Sequence, residues 1–482
     1  MGFRESKNFS LSTIASEIQD FWWKNDVFTK SYSRENSPDF IFYEGPPSAN
    51  GNPGIHHVMA RTIKDAFCRY KTLKGYNVKR KAGWDTHGLP VELGVEKELG
   101  ISKDDIGDKI SISEYNSACK KAVMKYTSDW ELLTESMGYW IDLSDPYITY
   151  KPKYMETVWW LIKNIFEKNL LYKGYTVQPY SPAAGSGLSS HELNQPGAYR
   201  EISDTSVIAQ FKCVNDNKSD KFNEMFPFYF LAWTTTPWTL PSNTALTLGA
   251  KIEYSFVKTF NQYTRQNVTV VLATSLIEKV FTKNFFNVKE ESKLSLFKES
   301  DAKIPYYVVN SFKGFEFENL RYERIWDEAP LPIDNPENAF RVILGNFVTT
   351  DDGTGIVHTA PTFGADDYKA AKSAKPQVPP LLVPDKNGNK VPLVDLKGKF
   401  IDDIGMISGK YVKNEYYEED KIPEKSIDVE IAIKLKEKNL AFRVEKYSHS
   451  YPHCWRTDKP ILYYPMESWF IKVSDLSERM FN

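Results

Sequence analysis

Cysteine is scarce. The 482 residues hold four, Cys68, Cys119, Cys213 and Cys454, none near another. That spacing shows neither a disulfide framework nor a zinc cluster, and a reducing compartment is the expectation. Net charge is scarce too: 61 Lys and Arg against 63 Asp and Glu leave −2. A purely electrostatic nucleic-acid binder is basic, so any such contact here is local. The uncharged stretch Met225–Ala250 carries Pro227, Pro237, Pro241 and six threonines. A membrane helix needs about 20 mainly apolar residues, so no membrane partner is expected. Met1-Gly2-Phe3-Arg4-Glu5 lacks the apolar core of a secretory signal.

What is present is globular. The chain is 41% hydrophobic and 26% charged, which excludes disordered and collagen-like classes. At about 100–200 residues per domain the length predicts two to four domains. Leu11–Val27 has helical spacing through Ile14, Ile18, Phe21 and Trp22. Phe40–Tyr43 reads as a buried strand. Gly45 to Gly54 is too rich in Gly and Pro for helix or strand. Helical spacing resumes from Ile55 and stops at Gly75, and a second strand runs to Gly83. Strand, loop, helix, strand is a βαβ unit with a parallel sheet.

Helices are predicted over Ser113–Gly138 and Tyr154–Asn169. After about Gly185 short β-rich runs appear, Thr205–Phe211, Tyr254–Thr259, Val268–Leu272 and Tyr306–Val309, as in an inserted β-rich domain. A helix returns near Ser426–Lys438. The expected domains are residues 1–190, an insert over 191–440, and a return over 441–482. The last stretch, Asp475–Asn482, is amphipathic without a helix-ending signal and reads as truncated.

The βαβ turn is the first candidate site. A helix N-terminus offers unpaired N–H groups and the positive dipole end, which suits phosphate. His56 and His57 stand at that helix start and can donate to a phosphate oxygen. A surface turn with two capping histidines is the competing reading. Eight basic residues between Arg61 and Ala82 face only Asp65; they serve an anionic ligand, or form a solvated helix face.

Gly45-Pro46-Pro47-Ser48-Ala49-Asn50-Gly51 followed by Gly54-Ile55-His56-His57 resembles the His-x-Gly-His signature region of class I aminoacyl-tRNA synthetases. Gly83-Trp84-Asp85-Thr86-His87-Gly88-Leu89-Pro90-Val91-Glu92 narrows the resemblance to the isoleucine-specific branch, and Thr86-His87 disfavours the valine branch. Tyr451-Pro452-His453-Cys454-Trp455-Arg456 and Ser468-Trp469-Phe470 extend it to nearly the whole chain, about half of a family member. The signature departs from the family: its first and third positions are exchanged, so glycine stands at 54 and histidine at 56.

The resemblance implies a Rossmann-like parallel α/β catalytic domain, incomplete here, interrupted by a β-rich editing domain. It implies ATP-dependent activation of L-isoleucine, with Mg2+ accompanying ATP, and transfer to tRNA(Ile) in the cytoplasm. Gly54, Ile55, His56 and His57 would bind ATP, and the two histidines would stabilise its phosphates. Asp85 would pair the amino group of isoleucine. Pro46, Trp84 and His87 would complete the amino-acid pocket.

A pocket that holds isoleucine also admits valine, and the isoleucine enzymes are the standing example of that limit. The remedy is a second, hydrolytic site. Trp233-Thr234-Thr235-Thr236-Pro237-Trp238-Thr239-Leu240-Pro241 resembles the family's editing segment, and Gly353 to Tyr368 its other wall. Thr234, Thr235 and Thr236 would line the pocket, His358 would narrow it, and Asp367 would anchor the ammonium of misattached valine. A plain Thr-rich strand, and a helix start at Asp366-Asp367, are the ordinary alternatives.

The Lys-rich second signature of the class is missing from these residues, so no adenylate synthesis is expected from this segment alone. Cys454 and His453 are too few ligands for zinc, and no metal site is predicted. A non-catalytic, synthetase-derived tRNA-binding module is the alternative. A Rossmann dehydrogenase is excluded, because Gly45-Pro46-Pro47 is not its glycine turn.

Overall fold

The computed structural model describes residues 10–33 and 36–482. The amino-terminal pentapeptide read for a secretory signal lies outside them. The described residues fall into two compact units, one within Met1–Tyr172 and Ile471–Asn482, the other Lys173–Phe470. Among them no helix is long and apolar enough to cross a membrane.

The first unit opens with α1 (Leu11–Lys24) and α2 (Val27–Tyr32), then β1 (Asp39–Tyr43), α3 (Ile55–Leu73) and β2 (Asn77–Trp84). Next come α4 (Leu89–Leu99), α5 (Ile112–Val123), α6 (Thr127–Ser136), β3 (Asp142–Ile148) and α7 (Pro152–Glu167). The three strands form a parallel sheet in the order β1-β2-β3. The βαβ expectation therefore holds. Helix α3 ends where expected, with Gly75 left-handed at φ 93° and its N–H on Thr72 O at 3.1 Å.

Two expectations need correcting. β1 is a strand but not a buried one: Ile41 and Tyr43 are 63% and 62% exposed, because side chains alternate along the strand and those of Asp39, Ile41 and Tyr43 share the outward face. The predicted helix Ser113–Gly138 is two helices. At the break the N–H of Tyr126 leaves the helical ladder and donates to Ala49 O at 3.0 Å. That bond also fixes α6, so the Trp130 indole reaches Gly51 O at 2.9 Å.

The second unit is built on a 10-stranded sheet. Its strands are β4 (Tyr199–Lys212), β5 (Phe228–Thr234), β6 (Ala245–Leu248), β7 (Glu253–Phe260) and β8 (Asn267–Ala273). They continue as β9 (Phe285–Asn287), β10 (Ile304–Lys313), β11 (Arg341–Leu344), β12 (Ile356–Thr359) and β13 (Ala441–Pro452). The order is β9-β10-β7-β8-β5-β12-β6-β11, and β4 joins β13 to β5. Helices α8 (Ala365–Ser373) and α9 (Ile427–Glu437) accompany it. The uncharged run Met225–Ala250 becomes β5, a 3-10 turn over Pro237–Ser242, and β6.

β5 is central and mostly buried, so it reads as a near-continuous apolar run. Its Phe228 and Phe230 join Phe211, Phe222, Phe256 and Phe317, all fully buried. Each such side chain contributes about 1.5–3 kcal/mol. The same core takes in Ala232 of β5 and Ile356 of β12.

Candidate functional site

In the first unit the loop after β1 is tied down along its length. Glu44 N–H donates to Lys81 O at 2.9 Å, and Asp85 N–H to Pro47 O at 3.0 Å. With the Tyr126 and Trp130 bonds, the loop's backbone faces a cleft of about 380 Å³ lined by Glu44, Ser48, Asn50, His57, Arg61 and Lys64, among others.

The Gly54 N–H donates to His57 Nδ1 at 2.9 Å. An accepting Nδ1 puts the ring proton on Nε2. Burial, and then the charges of His56 and Arg61, lower the His57 pKa below its ordinary value. The ring is therefore a neutral Nε2–H donor at neutral pH. His56 is exposed, its ring centroid 3.8 Å from that of His57. A Cβ at position 54 would stand 2.9 Å from His56 Cε1. The His56 ring thus occupies space beside residue 54 that only glycine leaves open.

Sequence reasoning missed Arg61, Glu44 and Trp130. Arg61 is 6% exposed, lies one helical turn past His57, and donates to Thr134 Oγ1 at 2.6 Å. Its guanidinium lies 5.0 Å from the Trp130 ring. Buried Glu44 accepts from Lys64 and from the Tyr139 hydroxyl. The i, i+4 spacing of His57 and Arg61 was a usable signal; Glu44 and Trp130 gave none.

The basic run divides. Arg80 is buried and bonds Asp65 Oδ1 at 2.9 Å, and Arg69 bonds Asp65 Oδ2 at 2.6 Å. Lys79 pairs with Asp39 and Lys81 with Asp145 at the surface. Among these eight, Arg61 and Lys64 line the cleft.

Asp85 is half-buried at the end of β2, and its carboxylate takes the His87 N–H at 3.3 Å. Thr149 Oγ1 binds the Thr86 N–H at 2.9 Å and lies 3.0 Å from His87 Nδ1. Trp84 is a core residue, packed with Ala49 and Trp130. Pro46 is half-buried in the loop, and Ile55 is exposed.

In the second unit, β5 and β12 run parallel with Trp233 opposite Val357. Their carboxyl ends therefore lie side by side. Thr234, Thr235 and Thr236 leave one, and Thr359 to Asp367 leave the other. The Trp238 and Phe363 rings meet at 5.1 Å across them. The Thr236 N–H donates to Thr234 Oγ1 at 3.0 Å.

His358 is 6% exposed and has both ring nitrogens engaged. The Tyr322 hydroxyl donates to Asn243 Oδ1 at 2.6 Å. The Asn243 amide donates to Ala245 O and to His358 Nδ1, each at 2.8 Å. That leaves the proton on His358 Nε2, 3.0 Å from Thr239 Oγ1, whose own proton goes to Thr236 O at 2.9 Å. Burial pushes the His358 pKa down to about 3, against the Thr239 contact, so the ring is neutral. Asn243, Thr239 and Tyr322 were not picked out from sequence.

The Asp367 carboxylate accepts the Ala360 N–H at 2.8 Å. Desolvation pushes its pKa up to about 6; the Ala360 bond opposes the shift and Asp366 adds to it. Among the described residues no cation pairs with this carboxyl, and it can accept one. Among the described residues, no three or more His, Cys, Asp or Glu side chains gather as a metal cage.

Comparison with known proteins agrees with this architecture. Residues 17–482 match the family model described as tRNA synthetases class I (I, L, M and V). The chain is 54% identical over 497 residues to an isoleucine–tRNA ligase of Bacteroides fragilis, covering 99% of this chain and 42% of that protein. It is 54% identical over 492 residues to that of Cytophaga hutchinsonii (100% and 43%). It is 40% identical over 474 residues to that of Clostridium tetani (98% and 39%). The chain thus spans about two fifths of the length of these curated relatives. The chain, with its parallel βαβ unit and its β-rich unit, belongs to the class I tRNA synthetases of the isoleucine, leucine, methionine and valine group.

Proposed function

We propose that the chain works as part of a cytoplasmic isoleucine–tRNA ligase. The parent activates L-isoleucine with MgATP, passes the acyl group to the terminal ribose of tRNA(Ile), and hydrolyses Val-tRNA(Ile) in the β-rich unit. Magnesium enters with the nucleotide as substrate.

One observation carries the synthetic half: a neutral His57 Nε2–H donor at a helix N-terminus, with Arg61 and Lys64 on the same cleft. Arg61 and a fixed neutral donor suit phosphate oxygens whose charge grows in the transition state, while Lys64 is held beside them by Glu44. Gly54 and Ile55 let the backbone approach the nucleotide, and His56 adds a second imidazole beside His57. Asp85 pairs the amino acid's ammonium, Pro46 and His87 frame its side chain, and Trp84 supports the floor from the core.

In the β-rich unit, Asp367 pairs the ammonium of the valyl ester. Hydroxyls of Thr234, Thr235 and Thr236 place the ester and water. His358, with both nitrogens taken by protein, acts through Thr239 on the Thr236 carbonyl and limits the pocket's depth. One methylene separates the two amino acids, and in an apolar pocket it is worth only about 1–3 kcal/mol, the limit for which the isoleucine enzymes are the standing example. A second site that rejects the larger side chain is therefore needed.

The test is amino-acid-dependent ATP–pyrophosphate exchange by the full-length parent. Isoleucine is expected to support exchange with a much lower KM than valine, and Asp85→Ala is expected to raise that KM. A parent without exchange would favour the tRNA-binding module instead.

A further inference from the structure

Pro237–Ser242 is a 3-10 turn whose N-cap is Thr236, yet Thr236 makes no side-chain cap. A threonine at that position ordinarily turns its hydroxyl back to accept the N–H of the second or third helical residue. Here the first helical residue is Pro237, which has no N–H. The third, Thr239, donates to the Thr236 carbonyl at 3.0 Å. The orphan donor is Trp238 N–H, and it goes to Asp428 Oδ1 at 2.8 Å, 190 residues along the chain.

Asp428 is in the first turn of α9 and only 3% exposed. It lines a cavity of about 370 Å³ with Asp204, Lys413 and Lys446. Lys413, 6% exposed, pairs with Asp204 at 2.7 Å, and His449 Nε2 meets the same carboxylate oxygen at 3.2 Å. The ammonium of Lys413 lies 4.6 Å from the Tyr451 ring. Isolated buried carboxylates are costly. This one is offset by a donated N–H and the nearby Lys413 charge.

We infer that Asp428 is a positioning residue of the deacylation site: it caps the 3-10 turn in place of Thr236 and so leaves the Thr236 hydroxyl free to serve the site. The hydroxyl lies 3.3 Å from Thr234 Oγ1 instead of over Trp238 N–H. Lys413 is held nearby by Asp204, and Asp428 Oδ1 accepts the Trp238 N–H whether or not the other carboxyl oxygen carries a proton. The inference rests on the reading that this unit hydrolyses Val-tRNA(Ile), but its structural half can be tested without that reading.

The structural test is a double-mutant cycle on the 482-residue chain. If Asp428 is the cap, Thr236→Ala shifts the melting temperature by no more than about 1 °C. In an Asp428→Ala background the hydroxyl is drawn back over Trp238 N–H. There Thr236→Ala lowers the melting temperature by a further increment of about 1–3 °C. Equal Thr236→Ala shifts in both backgrounds would overturn the capping.

The functional test is Val-tRNA(Ile) deacylation. Asp428→Ala is expected to lower kcat more than about tenfold with KM nearly unchanged, because an interaction needed in the transition state is lost. Asp428→Asn keeps an acceptor oxygen and is expected to restore kcat to within about threefold. An Asp428→Ala variant that melts within a few degrees of the wild type and deacylates at its rate would overturn the positioning role. Should Asp428→Ala fail to fold, Asp428→Asn decides: a loss of kcat as large as that of Asp367→Ala would overturn it. A wild-type chain with no deacylation would refute the deacylation reading itself, and the cycle would still decide the cap.

Discussion

His57 shows how one backbone bond sets a side chain's chemistry. The Gly54 N–H fixes which ring nitrogen carries the proton, and burial keeps the ring neutral. His56 then fills the space beside Gly54. In the full-length parent, Gly54→His alone should force the His56 ring away and slow isoleucine-dependent exchange about 10- to 100-fold. Adding His56→Gly should recover much of that loss. A single variant at the wild-type rate would show that the two positions do not compete. Asp367 gives a second prediction at this scale. Its pKa of about 6 means that pairing with an ammonium strengthens as pH rises through that value. Deacylation should therefore climb between about pH 5 and pH 7 and then level off. Asp367→Asn should be slower and lack this step; a step of unchanged size would assign the titration elsewhere. The motif residues were legible because a Gly/Pro loop before a helix start has few meanings. The proton position on His57 was not, since it depends on a bond seen only in three dimensions.

Elements were legible where local pattern and tertiary demand agree. The helix over Ser426–Lys438 needed only its apolar spacing, and it forms as Ile427–Glu437. The break between α5 and α6 was hidden because Ala49, remote in sequence, takes the Tyr126 N–H. Asp428 was hidden for the same reason: an acid in a first helical turn reads as a dipole complement, while its partner is Trp238. Burial, against the opposing charge of Lys413 and with that of Asp204, pushes the Asp428 pKa up from 3.8 to about 7. The folded protein therefore holds a proton that the unfolded chain releases. The stability this provides is full below about pH 3.8 and is lost as pH rises through about 7. Asp428→Asn removes the titrating group, so its stability should fall less between pH 4 and pH 8 than the wild type's. The difference follows the shift at about 1.4 kcal/mol per pKa unit. Urea unfolding at both pH values measures it, and parallel slopes would contradict the assignment.

At the scale of the whole molecule, the two proposed chemistries fall in different units. Residues proposed for synthesis lie in the first unit, and both walls of the proposed hydrolytic site lie in Lys173–Phe470. The order of motifs along the chain suggests an insert over 191–440, whereas the second compact unit runs over Lys173–Phe470. The parallel neighbouring of β5 and β12 was not visible, because a four-residue strand such as Ile356–Thr359 carries little periodic signal. The class's second signature is missing from these residues. Isoleucine-dependent exchange is therefore not expected of the 482-residue chain, whereas hydrolysis is. The most direct measurement is deacylation of Val-tRNA(Ile) and Ile-tRNA(Ile) by this chain, beside Asp367→Ala. Val-tRNA(Ile) is expected to be hydrolysed faster than Ile-tRNA(Ile), and Asp367→Ala is expected to lose the activity. Equal rates on both esters, or an Asp367→Ala variant as fast as the wild type, would contradict this expectation.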